Sequence, residues 1–168
     1  MWKFSSAGAS TPRTAGYHGA CVTHSTARLL VAAGLVWRGP GRILVQRRSP
    51  AARHGAGMYE LPGGKVERGE APAAALAREL LEEWGAAAHR LQVGPIAEVL
   101  HHVYPAPGPE VVLLVYHVDG GGLVPAALEL EAGVVVDEFA VEALPLDEFL
   151  AADRPFVARI RGRQLVAP

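Results

Sequence analysis

A layered α/β (α+β) domain is what these 168 residues predict, and three observations carry the expectation. Short β-branched and aliphatic runs recur between Gly/Pro punctuation, as strands do. One long Ala- and Leu-rich segment, EAPAAALARELLEEW, has Pro72 near its start and Gly85 just past its end, the usual signs of a helix. A second helical segment follows Asp153. Strands gathered around one long helix, with another at the end, make a mixed layered domain. The length suits one domain that buries a core without disulfides or a structural metal.

Taken in chain order, residues 1–26 (MWKFSSAGASTPRTAGYHGACVTHST) are rich in Gly, Ser, Thr and Ala and read as a loose leader without the apolar stretch of a secretory signal. Residues 28–48 hold two aliphatic runs about Gly39-Pro40-Gly41, a hairpin. SPAARHGAGMYELPGG is a loop, and the long helix follows. Residues 91–104 and 110–118 read as strands flanking a PAPGP turn, 119–122 (DGGG) as a loop, and 133–144 as a further strand. The domain is expected over 27–162, with 163–168 as a tail. Trp37, Trp84, Tyr104, Phe139, Phe149 and Phe156 are assigned to the core, and Tyr59 is a candidate to stack on a base.

Composition narrows the function. A net charge of −1 gives no field for duplex nucleic acid or anionic lipid, so any polyanion must be met locally. The longest apolar runs, LLVAAGLVW and VVLLVY, fall short of the ~20 residues that span a bilayer, so no membrane association is expected. The single cysteine, Cys21, has no internal partner, which fits a reducing, cytoplasmic compartment.

The chemistry concentrates in RELLEEWG. On a helix, Glu79, Glu82 and Glu83 are three and four positions apart and emerge on one face. Each like-charge pair costs a few tenths of a kcal/mol on an exposed helix, so the patch needs solvent or a cation. A solvated acidic face is the plain alternative. Magnesium is the natural counter-ion, because it prefers carboxylate oxygens and leaves positions open for substrate phosphates; manganese is a substitute. Counting from Gly64, the chain reads Gly, five residues, Glu70, seven residues, Arg78-Glu79-Leu80, one residue, Glu82-Glu83, one residue, Gly85. With each fixed residue used at roughly 5–10%, that register arises by chance in about one window in 10⁸.

This string matches the Nudix box in its seven fixed residues, and Leu61-Pro62-Gly63-Gly64-Lys65 resembles the MutT-like branch of Nudix hydrolases. The aliphatic position after the last glycine is here the smaller Ala86. The resemblance implies a Nudix-like α/β/α sandwich with a mixed sheet and a loop-helix-loop motif. It implies that Glu79, Glu82 and Glu83 are metal ligands and catalytic groups, with a backbone carbonyl of Gly63 or Gly64 as a further ligand and Arg78 and Glu70 as supports. It puts a phosphate contact at Arg48, less strongly at Arg47, and nucleotide contacts near His54 and Glu60.

Asp153 aligns with a base-reading position where the best-known members carry asparagine. An ionised aspartate only accepts hydrogen bonds, which suits a base edge of N–H donors such as that of guanine or cytosine and leaves selectivity for 8-oxoguanine open. The competing reading is a helix N-cap, since Asp153-Arg154-Pro155 precedes an apolar run. The implied reaction is magnesium-dependent hydrolysis of a nucleoside triphosphate to monophosphate and pyrophosphate. The alternatives are a cytosine nucleotide, ADP-ribose, a dinucleoside polyphosphate or an RNA 5′ end as substrate, or a non-catalytic nucleotide sensor. A general base is required, and Glu129, Glu131, Asp137, Glu138 or a box glutamate are the choices.

Overall fold

The computed structural model describes residues 28–162. The leader with Cys21 and the tail 163–168 lie outside the described residues. Strands β1 (Arg28–Gly39) and β2 (Arg42–Arg47) form the expected hairpin, followed by two short strands, β3 (Tyr59–Glu60) and β4 (Gly63–Lys65). Helix α1 (Pro72–Trp84) leads to β5 (Gln92–Val103), β6 (Glu110–Asp119), β7 (Val135–Ala140) and α2 (Arg154–Arg161), with short 3₁₀ turns between them.

The seven strands make one sheet with central order β3-β2-β1-β6-β5, β4 also pairing with β1 and β7 with β2. Strands β1 and β6 run parallel, from Arg28 opposite Glu110 to Trp37 opposite Asp119, and the other strand pairs are antiparallel. The sheet is therefore mixed, as expected.

Both faces of the sheet are covered, because side chains alternate along each strand. Val36 and Leu44 point to one face and meet Leu76, Leu80 and Trp84 of α1. Leu35, Ile43 and Val45 point to the other and meet Phe149 and the Phe156, Val157 and Ile160 of α2. Each such side chain, fully buried, contributes roughly 1.5–3 kcal/mol. The apolar residues of α1 recur every four positions at Leu76, Leu80 and Trp84, so this stripe is buried while Arg78, Glu79 and Glu82 are left toward solvent. The helix closes at Gly85, whose N–H donates to the Leu81 carbonyl.

The loop after β2 differs from the reading of 49–64 as uninterrupted loop. It contributes β3 and β4, pieces of two and three residues held by pairing with β2 and β1. That pairing depends on tertiary partners and has no local signature. The strand expected over 133–144 is confined to Val135–Ala140, and the rest turns toward α2.

Candidate active site

The site forms where β4 turns into α1. Gly63 and Gly64 pair in β4 with Ala33 and Ala32 of β1, and both positions exclude a side chain. At Gly63, with φ 139°, an added Cβ would lie 2.2 Å from the Ala32 carbonyl oxygen. At Gly64 it would lie 2.3 Å from the carboxyl carbon of Glu79. Glycine lets the backbone of the strand come directly against the helix acids.

Arg78 organises those acids. Its Nε donates to Glu70 at 3.0 Å, and one terminal nitrogen donates to Glu79 at 2.9 Å and to Glu82 at 3.2 Å. The other donates to Glu70 at 3.1 Å and to the Lys65 carbonyl, also at 3.1 Å. These bonds hold Arg78 firmly cationic, and the Arg78 bond holds Glu70 below the usual carboxylate range. Arg78 thus ties Glu70, Glu79 and Glu82 together. Glu83 turns the other way and accepts the Gly63 N–H at 3.2 Å. Burial, and after it the charge of Glu60, pushes Glu83 up to about 7.

Among the described residues, no three acidic, histidine or cysteine side chains converge closely enough to coordinate an ion as they stand. Two of the three box glutamates are turned onto Arg78, which takes the place of a cation between them. The donor chemistry nevertheless fits a hard divalent ion. All three are carboxylates on one helical turn, Glu79 lying against Gly64 and Glu83 against Gly63, and rotation about their own side-chain bonds is what coordination requires.

Two cavities flank this patch. One, of about 680 Å³, has an apolar lining that includes Leu29, Val31, Leu113 and Tyr104, with Asp153, Glu60, Arg48 and His54 as polar groups. The other, about 550 Å³, is lined by Gln46, Arg48, Glu60, Glu83 and Glu131. Both volumes suit a small ligand. Arg48 and Glu60 border both cavities and pair with each other at 2.6 Å, and the Arg48 Nε donates to the His54 carbonyl at 3.0 Å. Burial raises Glu60 above the ordinary carboxylate range, against the pull of Arg48.

Arg48, His54, Glu60 and Asp153 therefore come together around one cavity, and Arg47 does not. Being adjacent to Arg48 on a strand, Arg47 points to the opposite face, where it pairs with Glu148 and lies 4.4 Å over the Tyr59 ring. Tyr59 is not free to stack on a base. It is buried against Phe139 and Phe149, and its hydroxyl donates to Asp137 at 2.7 Å.

Asp153 is not a side-chain N-cap, since its carboxyl makes no capping bond to α2. It is buried against the cavity and accepts the Leu61 N–H, and burial, with the Glu60 charge second, lifts its carboxyl to about 8. Of the four loop acids, Asp137 is engaged by Tyr59 and Glu138 by Arg42 and Arg38. Glu129 packs at Gly85, and Glu131 alone of the four lines a cavity with Glu60 and Glu83.

Sequence reasoning missed two residues. Gln46 stands between the cavity and the core, and its signal was a polar residue inside the aliphatic run ILVQRR. Tyr104, assigned to the core, lines the larger cavity.

The NUDIX domain profile matches residues 27–160, nearly the whole described chain. The chain belongs to the NUDIX domain family. Its similarity to curated Nudix relatives includes 29% identity over 134 residues with an 8-oxo-dGTP diphosphatase of Escherichia coli K12, covering 80% of this chain and 97% of that protein. It is 49% identical over 65 residues to a putative 8-oxo-dGTP diphosphatase 2 of Mycobacterium tuberculosis CDC 1551, covering 39% of this chain. That match spans about half, 45%, of the relative's length. A MutT Nudix hydrolase crystal structure from Burkholderia pseudomallei superposes with a TM-score of 0.62 at 26% identity, over 78% of this chain and 96% of that one. The mixed sheet and two helices are thus those of a Nudix domain. No helix among the described residues is long and apolar enough to cross a membrane.

Proposed function

We propose that this Nudix protein hydrolyses a nucleoside triphosphate to nucleoside monophosphate and pyrophosphate. The observation that carries the reading is the junction of the two cavities at Arg48 and Glu60, with an apolar pocket on one side and the box acid Glu83 on the other. The base enters the apolar cavity, and the phosphate chain runs past Arg48 toward Glu79, Glu82 and Glu83. Arginine suits this place because its planar fork binds phosphate oxygens in pairs.

Glu79, Glu82 and Glu83 would hold magnesium, or manganese in its place, which would neutralise charge on the phosphate oxygens and make the attacking water more acidic. Arg78, itself held by Glu70, orients Glu79 and Glu82 through its hydrogen bonds until the ion is bound. Water then adds across the α–β phosphoanhydride, and Glu131, on the wall shared with Glu60 and Glu83, accepts its proton. A cytoplasmic setting, expected from the single cysteine, belongs to the same proposal.

Asp153 reads the base. Sequence reasoning took it as ionised and accepting only, which left selectivity for 8-oxoguanine open. With its carboxyl lifted to about 8, the acid carries its proton at neutral pH and presents one donor and one acceptor. That pattern matches a purine edge offering both, and it supports an oxidised guanine nucleotide, the substrate in the name of the Escherichia coli relative.

The test is pyrophosphate release with magnesium across common and oxidised nucleoside triphosphates, ADP-ribose, a dinucleoside polyphosphate and triphosphorylated RNA, scored as kcat/KM ratios. An oxidised or ordinary purine triphosphate is expected to lead. A clear preference for ADP-ribose or RNA contradicts the reading. Glu82→Gln and Glu83→Gln are expected to lose at least about a hundredfold in kcat with the fold intact, as removal of an electrostatic catalytic group does.

A further inference from the structure

Gln46 is 4% exposed and lies in β2, one residue before Arg47, on the face covered by α1. The Trp84 indole N–H donates to its side-chain oxygen at 2.6 Å. An indole nitrogen only donates, so the amide has to offer its oxygen there, and its NH₂ group is forced to the opposite side. On that side Gln46 borders one cavity together with Glu83 and Glu60, and it stands opposite Glu60 in the β2–β3 register. In the flipped amide, an oxygen would face two carboxylates and an NH₂ would face the indole N–H. Both contacts repel, so the amide has one stable orientation. Trp84 follows Glu83 directly in the chain, so one helical turn carries both an acid of the site and the group that orients its partner.

We propose that the Trp84 indole fixes the Gln46 amide, and that this amide holds Glu83 and Glu60 side by side for a divalent cation and its phosphate chain. Gln46 is a positioning residue and Trp84 acts through it. The inference rests on the metal-site reading above. Carboxylates brought this close repel each other, and burial leaves little solvent to screen them. A fixed pair of N–H donors offsets that repulsion without adding charge, and keeps Glu83 where the Gly63 N–H also meets it.

The test uses Gln46→Met, which keeps length and packing but removes donor and acceptor, Trp84→Phe, and the double variant. Binding of manganese(II) alone is followed through the EPR signal of the free ion, alongside kcat, KM and melting temperature. Gln46→Met is expected to weaken manganese binding about tenfold or more, the usual cost of losing a group that orients a ligand. Its kcat falls, while KM for the nucleotide at saturating metal stays near wild type. Trp84→Phe frees the amide to populate both orientations and weakens binding about twofold or more, in proportion to the lost competent fraction. The double variant binds no worse than Gln46→Met, because Trp84 has nothing left to orient.

A folded Gln46→Met or Trp84→Phe with wild-type manganese affinity overturns the proposal, whatever its melting temperature, as does full additivity in the double variant. Glu82→Gln separates the two readings. If it weakens manganese binding while Gln46→Met does not, this inference alone fails. If wild type and Glu82→Gln bind alike, or wild type binds no manganese, the metal-site reading fails and takes this one with it.

Discussion

Asp153 shows how burial changes a residue's chemistry. Its folded carboxyl holds a proton to about 8, whereas an unfolded aspartate releases it near 3.9. The folded state therefore binds more protons at this site between those values, so the stability Asp153 contributes is full below about 4 and is lost as pH climbs to about 8. Asp153→Asn stays neutral and lacks that loss, so urea midpoints at pH 5 and pH 8 should differ less in the variant than in wild type. Parallel changes would contradict the assignment. Gly64→Ala makes a second prediction at this scale, because the added methyl meets the Glu79 carboxylate at 2.3 Å. A displacement near 1 Å at a catalytic group costs about a hundredfold, so kcat is expected to fall by that order, measured on a variant whose circular dichroism matches wild type. The box acids, Arg78 and the glycine pair were legible because their register in the chain is the register on the helix. Arg47, Tyr59 and Gln46 were not, since the face each occupies depends on strand pairing that one sequence does not display.

Helix α1 divides stability from chemistry along its two sides. Leu80 is 1% exposed between the sheet and its own helix, and Leu80→Ala is expected to cost about 2–5 kcal/mol, read from denaturant midpoints. Arg78 is a third exposed, and solvent screens its ion pairs. Arg78→Ala should cost below about 1 kcal/mol in stability, yet lower activity by releasing Glu79, Glu82 and Glu70 together. A large stability loss with normal kinetics would reverse that division. The helix was readable through its four-residue apolar spacing, Pro72 and Gly85, and β1, β2, β5 and β6 through long aliphatic runs. Strands β3 and β4 were not, because two or three residues carry too little local preference and are strands only by virtue of β2 and β1.

At the scale of the molecule, one mixed sheet separates two cores, and the proposed substrate path passes from one face to the other. The apolar cavity opens on the side of Leu113, Leu61 and Asp153, and the acids Glu83 and Glu131 border the cavity on the side of α1. Arg48 and Glu60, at the end of β2 and in β3, mark the crossing. This arrangement asks for a ligand with an apolar ring at one end and several negative charges at the other. The most direct measurement is hydrolysis of a purine nucleoside triphosphate with magnesium in ¹⁸O-water, with products resolved by mass. The account predicts nucleoside monophosphate and pyrophosphate carrying one ¹⁸O between them, and loss of both on chelation or in Glu83→Gln. Release of orthophosphate with nucleoside diphosphate, or unchanged turnover in Glu83→Gln, would contradict it.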